Sequence, residues 1–567
     1  MGRIAIIIGV LGILLSLPAL ADYHYASHDG TNEYPYNSWE TGAHLIQDAV
    51  DATSPHDTVY IGAGEWYETV ATGVYDSIGI IGMGMDSTFL YSDEYRTPVL
   101  TIDYNCSVEG LMIQHTDNWQ CLWARPYAGV KISNCKFMNT GFGVMASGSN
   151  TTITDCIFDS CGRAIYSGNF AGHYEISNNL ILRNYSNAAI DLACESVVIE
   201  NNIFLNSAVY VINCTFASGV GLVKNNFIHR ASGGIYVRFV NAYNNTVEYT
   251  GYGNRKGIQA GYPDSIVNNS VSECGNSVSV SDSFVFNYNN LWHNEVDPSF
   301  NNFINPVGNI SVDPMYVSEA NAHLQAFSPL IDAGDPNILD VDGSRSDIGC
   351  YGGPSGCSYV YLDLAPMIPD SIIATVDSLG VALTWHSNTE ADFNRYQIFK
   401  DTTAGFEPSI FDMIAEPETS FYHDADIDPE TAYYYKLTSV DNQGNVSEYS
   451  AEVAIIPTHT PSFFDDGLPK QTTISCAYPN PSNANITIVY SASNLGPQPP
   501  QGKLQIYDIQ GRVVKTLVDG RIPAGTYRAM WDGTNDRGES VASGTYIARV
   551  SQWGADSDFP VKITLLK

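Results

Sequence analysis

Between residues 130 and 295 apolar and polar positions alternate in short runs, and the runs return. Reading down the chain gives ISNCKF, ITDCIF, ISNNLI, IENNIF, VKNNFI, AYNNTV, IVNNSV and NYNNLW, whose fourth positions are Cys135, Cys156, Asn179, Asn202, Asn226, Asn245, Asn269 and Asn290. The seven steps between them average about 22 residues, a period that marks one supersecondary unit per repeat. A second alternating run falls between each repeat and the next: GVMA, AIYS, AIDL, VYVI, GIYV, GIQA and SVSV. No 3.6-residue pattern intervenes. The spacing therefore predicts a solenoid in which each repeat makes one coil of short strands, stacked on the next coil at about 4.8 Å.

Alternation then assigns faces. Ile132, Ile153, Ile176 and Ile199 are predicted to form one internal stack, and Phe137, Phe158, Ile181 and Phe204 another. The recurrent Asn is expected where the chain turns, since Asn tolerates left-handed backbone and bonds its own turn. Stacked coil on coil, these amides can form a ladder. Cys135 and Cys156 occupy that place in the first two repeats and are expected to be buried thiols. The outward positions of the second run fall at Met145, Tyr166, Asp191, Ile212, Tyr236, Gln259 and Ser279, with Arg163, Glu195, Arg230 and Arg238 along their margins.

The flanks fit a capped stack. TGAHLIQDAVDA, from Thr41 to Ala52, reads as an amphipathic helix with Leu45, Ile46 and Ala49 on one face, followed by DTVYIGAGEWYE and SIGIIGMG. Together with the repeats, these pieces resemble the pectin-lyase-like superfamily of right-handed parallel β-helices over about Tyr34 to Pro354. The resemblance implies that the helix covers the open first coil, an edge that would otherwise invite pairing. It also implies that Ser328 to Pro354 is a closing segment at the far end, and that a ligand would lie along an outward sheet face. The catalytic strings of the superfamily do not transfer. Neither GHG nor RIK occurs, and the one Asp-Asp pair, Asp465-Asp466, lies in a linker.

Two smaller modules follow. LTWHSNTEADFNRYQIFK and TAYYYKLTSVDNQGNVSEYS, within 366–457, resemble a fibronectin type III domain, with Trp385, Tyr396, Ile398, Tyr433, Tyr435, Leu437 and Val440 alternating as a two-sheet sandwich requires. A linker at 458–475 leads to 476–567. There YPNPSNANITIVYS, LQIYDIQGRVVKTLV and PAGTYRAMWDGTNDRGESVASGTYIARV resemble a FlgD-like, hook-cap-type immunoglobulin domain and the related type IX secretion sorting domains. That resemblance implies bacterial export machinery as a partner. The expected fold class is all-β: a right-handed parallel β-helix over 22–357, then two immunoglobulin-like β-sandwiches.

Composition narrows the setting. Residues 1–21 read as a signal peptide, with Arg3, an apolar run from Ile4 to Leu17 and the small-x-small site Ala19-Leu20-Ala21. The expected location is therefore secreted or on the outer cell surface. Sixty-one Asp and Glu against 26 Lys and Arg give a net charge of −35, which argues against nucleic acid as a partner because phosphate neutralisation needs a basic surface. Eleven Cys is an odd number, and Cys350 with Cys357 is the expected disulfide.

Candidate chemistry concentrates in the central coils. From Arg125 to Lys256 there are 10 basic and 7 acidic residues, inside a 22–357 stretch with 12 basic and 35 acidic ones. Such an island can focus an anionic ligand. Arg163, Tyr166, Arg230, Tyr236 and Arg238 form a substrate-binding set suited to a polysaccharide or cell-surface glycan, with aromatic faces for pyranose rings and charged groups for hydroxyls or uronates. Asp191 and Glu195 form a candidate acid–base pair if their carboxyls stand ~5–10 Å apart. Thus a surface glycan-binding protein is the first expectation and a polysaccharide lyase or glycoside hydrolase the second, with a purely structural surface-layer component third. His229, one imidazole without a second ligand, offers no metal site. Ca2+ is considered at Asp340, Asp342 and Asp347, against a turn in which Arg345 pairs with a neighbouring Asp. Asp424, Asp426 and Asp428 are read as solvated loop carboxylates.

Overall fold

In the computed structural model, residues 21–566 are described except at 74–76, 127–128, 147, 149, 169–170, 187, 208–209, 217–220, 252–254, 262–264, 281–283, 297–302, 305, 378–379, 429, 458–470, 483–484, 494–500 and 553–559. The signal-peptide assignment thus falls outside the described residues apart from Ala21, as does most of the linker. Among the described residues no helix is long and apolar enough to cross a membrane.

The chain divides into two units. In the first, every coil lays down three short strands, each pairing in parallel with its counterpart in the next coil. This builds a first sheet of 13 strands, a second of 11 and a third of 10. The predicted stacks are there. Ile132, Ile153, Ile176 and Ile199 are in register and fully buried. Phe137, Phe158, Ile181 and Phe204 follow likewise, with the two Phe rings parallel at 4.8 Å. Each such burial contributes about 2 kcal/mol. One apolar core runs from Ala26 to Leu291.

The turn between first and second sheets divides its two jobs between adjacent residues. Asn178, Asn201, Asn225, Asn244 and Asn268, each one place before the ladder, carry the left-handed backbone. The ladder residue then turns its amide inward. Asn179, Asn202, Asn226, Asn245 and Asn269 each donate to the next amide oxygen up the stack, at 2.9 to 3.0 Å. The rung after Asn269 is Asn289 and not Asn290, and Asn289 passes the ladder on to Asn309. Ser270 pairs with Asn290 and Val271 with Leu291, so the final repeat is displaced by one position from its sequence reading. Cys156 stands in for a rung, its Sγ reaching the Ile132 carbonyl at 3.9 Å while its N–H donates to Asn179.

The ends differ from expectation. The helix is short, Ile46–Asp51, and buries Ile46, Ala49 and Val50. Leu45 precedes it in extended conformation and is exposed. Its first N–H groups go to the Glu68 carboxylate, which accepts from Ile46 at 2.8 Å and Gln47 at 3.0 Å. The segment 328–354 does not simply close the last coil. It returns along the flank, where the left-handed asparagines hold it: Asn225 donates to the Cys350 and Gly352 carbonyls, and Asn244 to Asp347 O and Ser346 Oγ. Asn268 accepts the Asp335 N–H at 2.7 Å. This strap covers the second sheet, with Phe227 buried against Ala322 and Cys350. No disulfide forms among the described residues. Cys350 is buried and Cys357 exposed, both free.

In the second unit, strands 373–377, 380–384 and 421–424 form one antiparallel sheet, and a four-stranded sheet centres on Phe393–Asp401 and Tyr433–Asp441, of which the end residues Phe393 and Asp441 count with the first unit. Trp385 packs edge-on against Tyr396 at 5.0 Å. Asp424 is not solvated. It is buried, paired with Lys400 at 2.8 Å and bonded by Tyr435 Oη. The last module repeats the scheme with three strands and four strands, around Ile486, Ile488, Leu504, Ile506, Trp531 and Ala548.

Candidate functional site

The third sheet carries the site residues because its inner face fills the coil and its outer face is left to solvent. After its first residue each strand carries two consecutive inward residues, such as Gly143 and Val144 or Ala164 and Ile165, the earlier one small. Gly234 shows why the corner stays small: a Cβ there would stand 2.0 Å from the Gly257 carbonyl oxygen. After the aliphatic residue, the next position points outward. Register links these positions in one column: Trp123, Met145, Tyr166, Asp191, Asn213, Tyr236, Gln259 and Ser279.

Ile212 is not in this column. It is fully buried, pairing with Ile190 and Ile235, and Asn213 takes the outward place. The outward residue of that coil follows VI at 211–212, one step later than the four-letter run VYVI suggests.

A second column begins each strand, with Phe142 beside Arg163 and Tyr210 two coils further on. Aromatic rings line both columns. Phe142 and Tyr166 lie 5.5 Å apart, and Tyr210 and Tyr236 lie 6.2 Å apart. The Arg163 guanidinium sits 4.7 Å above the Tyr166 ring and 5.5 Å above Phe142, an attraction between cation and ring quadrupole. Its Nε stands 3.1 Å from Asp191 Oδ2. Asn213 Nδ2 donates to the other Asp191 oxygen at 2.8 Å, while Asn213 Oδ1 is buried with no hydrogen bond.

Structure separates the rest of the expected set. Glu195 lies past the strand Ala188–Cys194, on the turn into the first sheet. Four residues of near-extended chain, roughly 13 Å at ~3.3 Å each, divide it from Asp191. It is exposed and faces His173 Nε2 at 3.6 Å. The two carboxylates are thus occupied by different partners. Arg230 lies on the turn between second and third sheets and pairs with Glu319, which precedes the strap in the chain. Arg238 ends the strand of Tyr236, exposed, with no carboxylate partner among the described residues.

Most of the basic island is likewise internally neutralised: Arg125 by Asp103, Lys136 by Asp86, Arg183 by Asp159 and Lys224 by Glu200. Beneath Arg230, His229 Nδ1 and Glu248 form a buried pair at 3.3 Å. Burial raises the Glu248 carboxyl, while His229 opposes the shift.

The Asp340–Asp347 loop uses its carboxylates as turn acceptors. Asp342 takes the Ser344 N–H and Oγ, and Asp347 takes the Asp332 N–H and the Tyr361 hydroxyl. Arg345 donates to the Gly334 and Ala333 carbonyls and not to an Asp.

Sequence reasoning missed Trp123, Phe142, Asn213 and Tyr210. Trp123 precedes the first repeat, Phe142 and Asn213 fall just outside the four-residue runs, and Tyr210 lies within VYVI, whose phase the alternation does not fix. It also missed a cleft of about 380 Å3 in the early coils, lined by Tyr67, Glu68, Tyr91, Asp93 and Glu94. There Tyr67 and Tyr91 stack at 5.2 Å.

Comparison with known proteins places parts of the chain. It resembles Exoglucanase B of Cellulomonas fimi, 29% identical over 194 residues, which is 32% of this chain and 16% of that protein. The chain thus spans about a sixth of the relative it matches. Among solved structures, the catalytic unit of a thermostable GH87 alpha-1,3-glucanase from Streptomyces thermodiastaticus is 11% identical, covering 47% of this chain and 66% of its own, with a TM-score of 0.30. Dimeric latent PorU from Porphyromonas gingivalis is 15% identical over 38% of this chain and 21% of its own, at a TM-score of 0.20. At these TM-scores neither superposition establishes fold or function. Residues 100–238 match the family model of the right-handed β-helix region, and residues 491–556 that of the FlgD Ig-like domain. The chain is therefore an all-β protein in which a right-handed parallel β-helix is followed by antiparallel sandwiches, the last carrying a FlgD Ig-like domain.

Proposed function

We propose that the protein binds an extended polysaccharide along the outer face of the third sheet. One observation carries this: Trp123, Met145, Tyr166, Asp191, Asn213, Tyr236 and Gln259 stand in register on consecutive coils. Coils repeat at about 4.8 Å, so ring faces and hydrogen-bonding groups recur at intervals comparable to a sugar ring. Phe142 and Tyr210 widen the aromatic strip, and Arg238 supplies an exposed cation. The likeness to an exoglucanase supports a carbohydrate ligand.

The test is affinity electrophoresis of the full chain through gels containing neutral or uronate polysaccharides. Retardation by one polymer is expected, with an approximately tenfold or greater loss of affinity in Tyr166→Ala/Tyr236→Ala, since stacked aromatic anchors dominate binding energy. Equal retardation of wild type and double variant, or none in any gel, sinks the reading.

The same exoglucanase likeness favours a second reading, a polysaccharide lyase or glycoside hydrolase. Asp191 and Glu195 would be the first groups to test, by following new reducing ends or unsaturated product. Their separation and their separate partners favour binding over cleavage.

The FlgD Ig-like domain, with the small-x-small site at 19–21, supports export to the cell surface or beyond, with the C-terminal module read by the export machinery. Deleting 476–567 should trap the protein inside the cell envelope; unchanged release refutes a sorting role.

A further inference from the structure

The first unit includes two short stretches beyond the coils, Asn388–Phe393 and Asp441–Asn445. Both are fixed in place by named bonds. Thr389 Oγ1 donates to Asp313 Oδ2, and the Ala391 N–H meets Met315 Sδ at 3.3 Å. Asn442 N–H donates to the Asp392 carbonyl at 2.8 Å, and Asn445 Nδ2 to Asp363 Oδ1 at 3.0 Å. Three carboxylates from three separate stretches, Asp363, Asp392 and Asp441, thereby converge with ligand oxygens within 4.8 Å of one another.

Their states differ. Asp441 is buried and organises the DNQGN loop: its Oδ1 accepts the N–H groups of Gln443, Gly444 and Asn445, and its Oδ2 accepts Asn445 Nδ2. Asp363 is exposed. Asp392 is the anomaly. It is only 5% exposed, yet its carboxylate receives no hydrogen bond or ion pair from any other described residue; only its own backbone N–H leans on it.

An ionised carboxylate largely withdrawn from water demands a partner, and here its neighbours are two more carboxylates, with the buried Glu390 close by. No Lys, Arg or His pairs with any of the three among the described residues.

We propose that Asp363, Asp392 and Asp441 hold a divalent cation of the Ca2+ type, which supplies the positive charge this buried cluster lacks. The donor set is all oxygen, without His or Cys, which selects a hard cation. Oxygens within 4.8 Å of one another are within reach of one Ca2+ bound at ~2.3–2.6 Å, and Ca2+ accepts irregular sets of six to eight oxygens completed by carbonyls and water. The site cross-links the chain leaving the strap, at Asp363, to two loops 29 and 78 positions further on, so its occupancy rigidifies all three. It is independent of the glycan-binding face.

The full chain, stripped with EGTA and desalted, is titrated with CaCl2 by isothermal calorimetry and followed by thermal unfolding. Asp363→Asn removes an exposed ligand with little risk to folding, and Asp392→Asn keeps side-chain shape while removing the buried charge. Wild type is expected to bind one more Ca2+ than either variant, or to bind it more than ~10-fold tighter, with a thermal transition raised by CaCl2. The rise should be lost in both variants. Identical Ca2+ stoichiometry and affinity in wild type and the folded variants would overturn the site, as would no binding by wild type. MgCl2 that competes on equal terms would overturn the Ca2+ assignment.

Discussion

Asn202 donates from Nδ2 to the Oδ1 of Asn226 at 3.0 Å, and the same oxygen takes the Asn202 backbone N–H at 3.1 Å. Asn226 in turn bonds the Ile199 and Lys224 carbonyls and Asn245 Oδ1. All but the bond to Lys224 is buried. Asn226→Ala would orphan several of these groups, each costing about 1–3 kcal/mol, and should destabilise the first unit by about 3 kcal/mol or more. Asn178→Ala changes an exposed residue at the left-handed position and should cost only the conformational strain, about 1 kcal/mol. Urea unfolding of both variants distinguishes them. Equal losses would mean that the ladder contributes no more than the turn.

A pH effect follows from the strap. Burial, with the charges of Asp340 and Asp332, raises the Asp347 carboxyl from 3.8 to about 6 against the hydrogen bonds from the Asp332 N–H and Tyr361. Between pH ~4 and ~6 the folded protein therefore keeps a proton that the unfolded chain has released. Stability from this group is greatest below ~4, falls as pH rises through that window, and is flat above ~6, a loss of roughly 2–3 kcal/mol. Asp347→Asn mimics the protonated form. It should unfold at a higher temperature than wild type at pH 7 and lose that advantage near pH 4. Parallel curves from pH 4 to 8 would show that the carboxyl titrates normally.

The repeat made the coil legible because a solenoid writes its geometry into the chain once per turn: an inward Ile or Phe misplaced by one residue would face water. Ile153 above Ile132 and Phe158 above Phe137 could be read for that reason. Outward positions carry no such constraint. Alternation across VYVI points Ile212 outward, but the strand Tyr210–Phe216 is longer than that run, its alternation starts elsewhere, and Ile212 is buried. The repeat alignment puts a rung at Asn290 where Asn289 holds it, because NYNNLW begins after Phe286, the apolar residue that fixes the register. The strap was recognised only as an ending. Its hold on Asn225, Asn244 and Asn268 joins residues more than 60 positions apart, and such pairing leaves no local periodicity. The convergence of Asp363, Asp392 and Asp441 is invisible for the same reason.

The thiols offer a chemical check on burial. Nine of the eleven cysteines are buried, Cys476 is partly covered and Cys357 is exposed, and none is bridged. Burial pushes Cys121, Cys194, Cys274 and Cys350 up to about 12, so little thiolate exists to react. A maleimide at pH 7 should label Cys357 first and Cys476 more slowly, leaving the others until the protein is denatured. Intact mass should be unchanged by reduction. Protection of Cys357 with a gain of two hydrogens on reduction would restore the Cys350–Cys357 bridge.

The charge balance of the groove decides which polymers it takes. Arg163 is held between the Asp191 carboxylate and the faces of Tyr166 and Phe142, so its charge is spent inside the protein. Asp191→Asn keeps a group that can accept from Asn213 but removes the negative partner, leaving Arg163 anchored by its rings and free to meet an anion. A carboxylate newly engaged by a partly buried Arg gains a charge-assisted bond. Affinity for uronate polymers should therefore rise by about tenfold, a change of roughly 1.4 kcal/mol, while affinity for neutral polymers changes little. Added salt should weaken the new uronate binding more than the neutral binding, because the gain is electrostatic. If Asp191→Asn lowers affinity for both classes alike, Asp191 contacts the sugar itself through its carboxylate, and Arg163 serves only to position it.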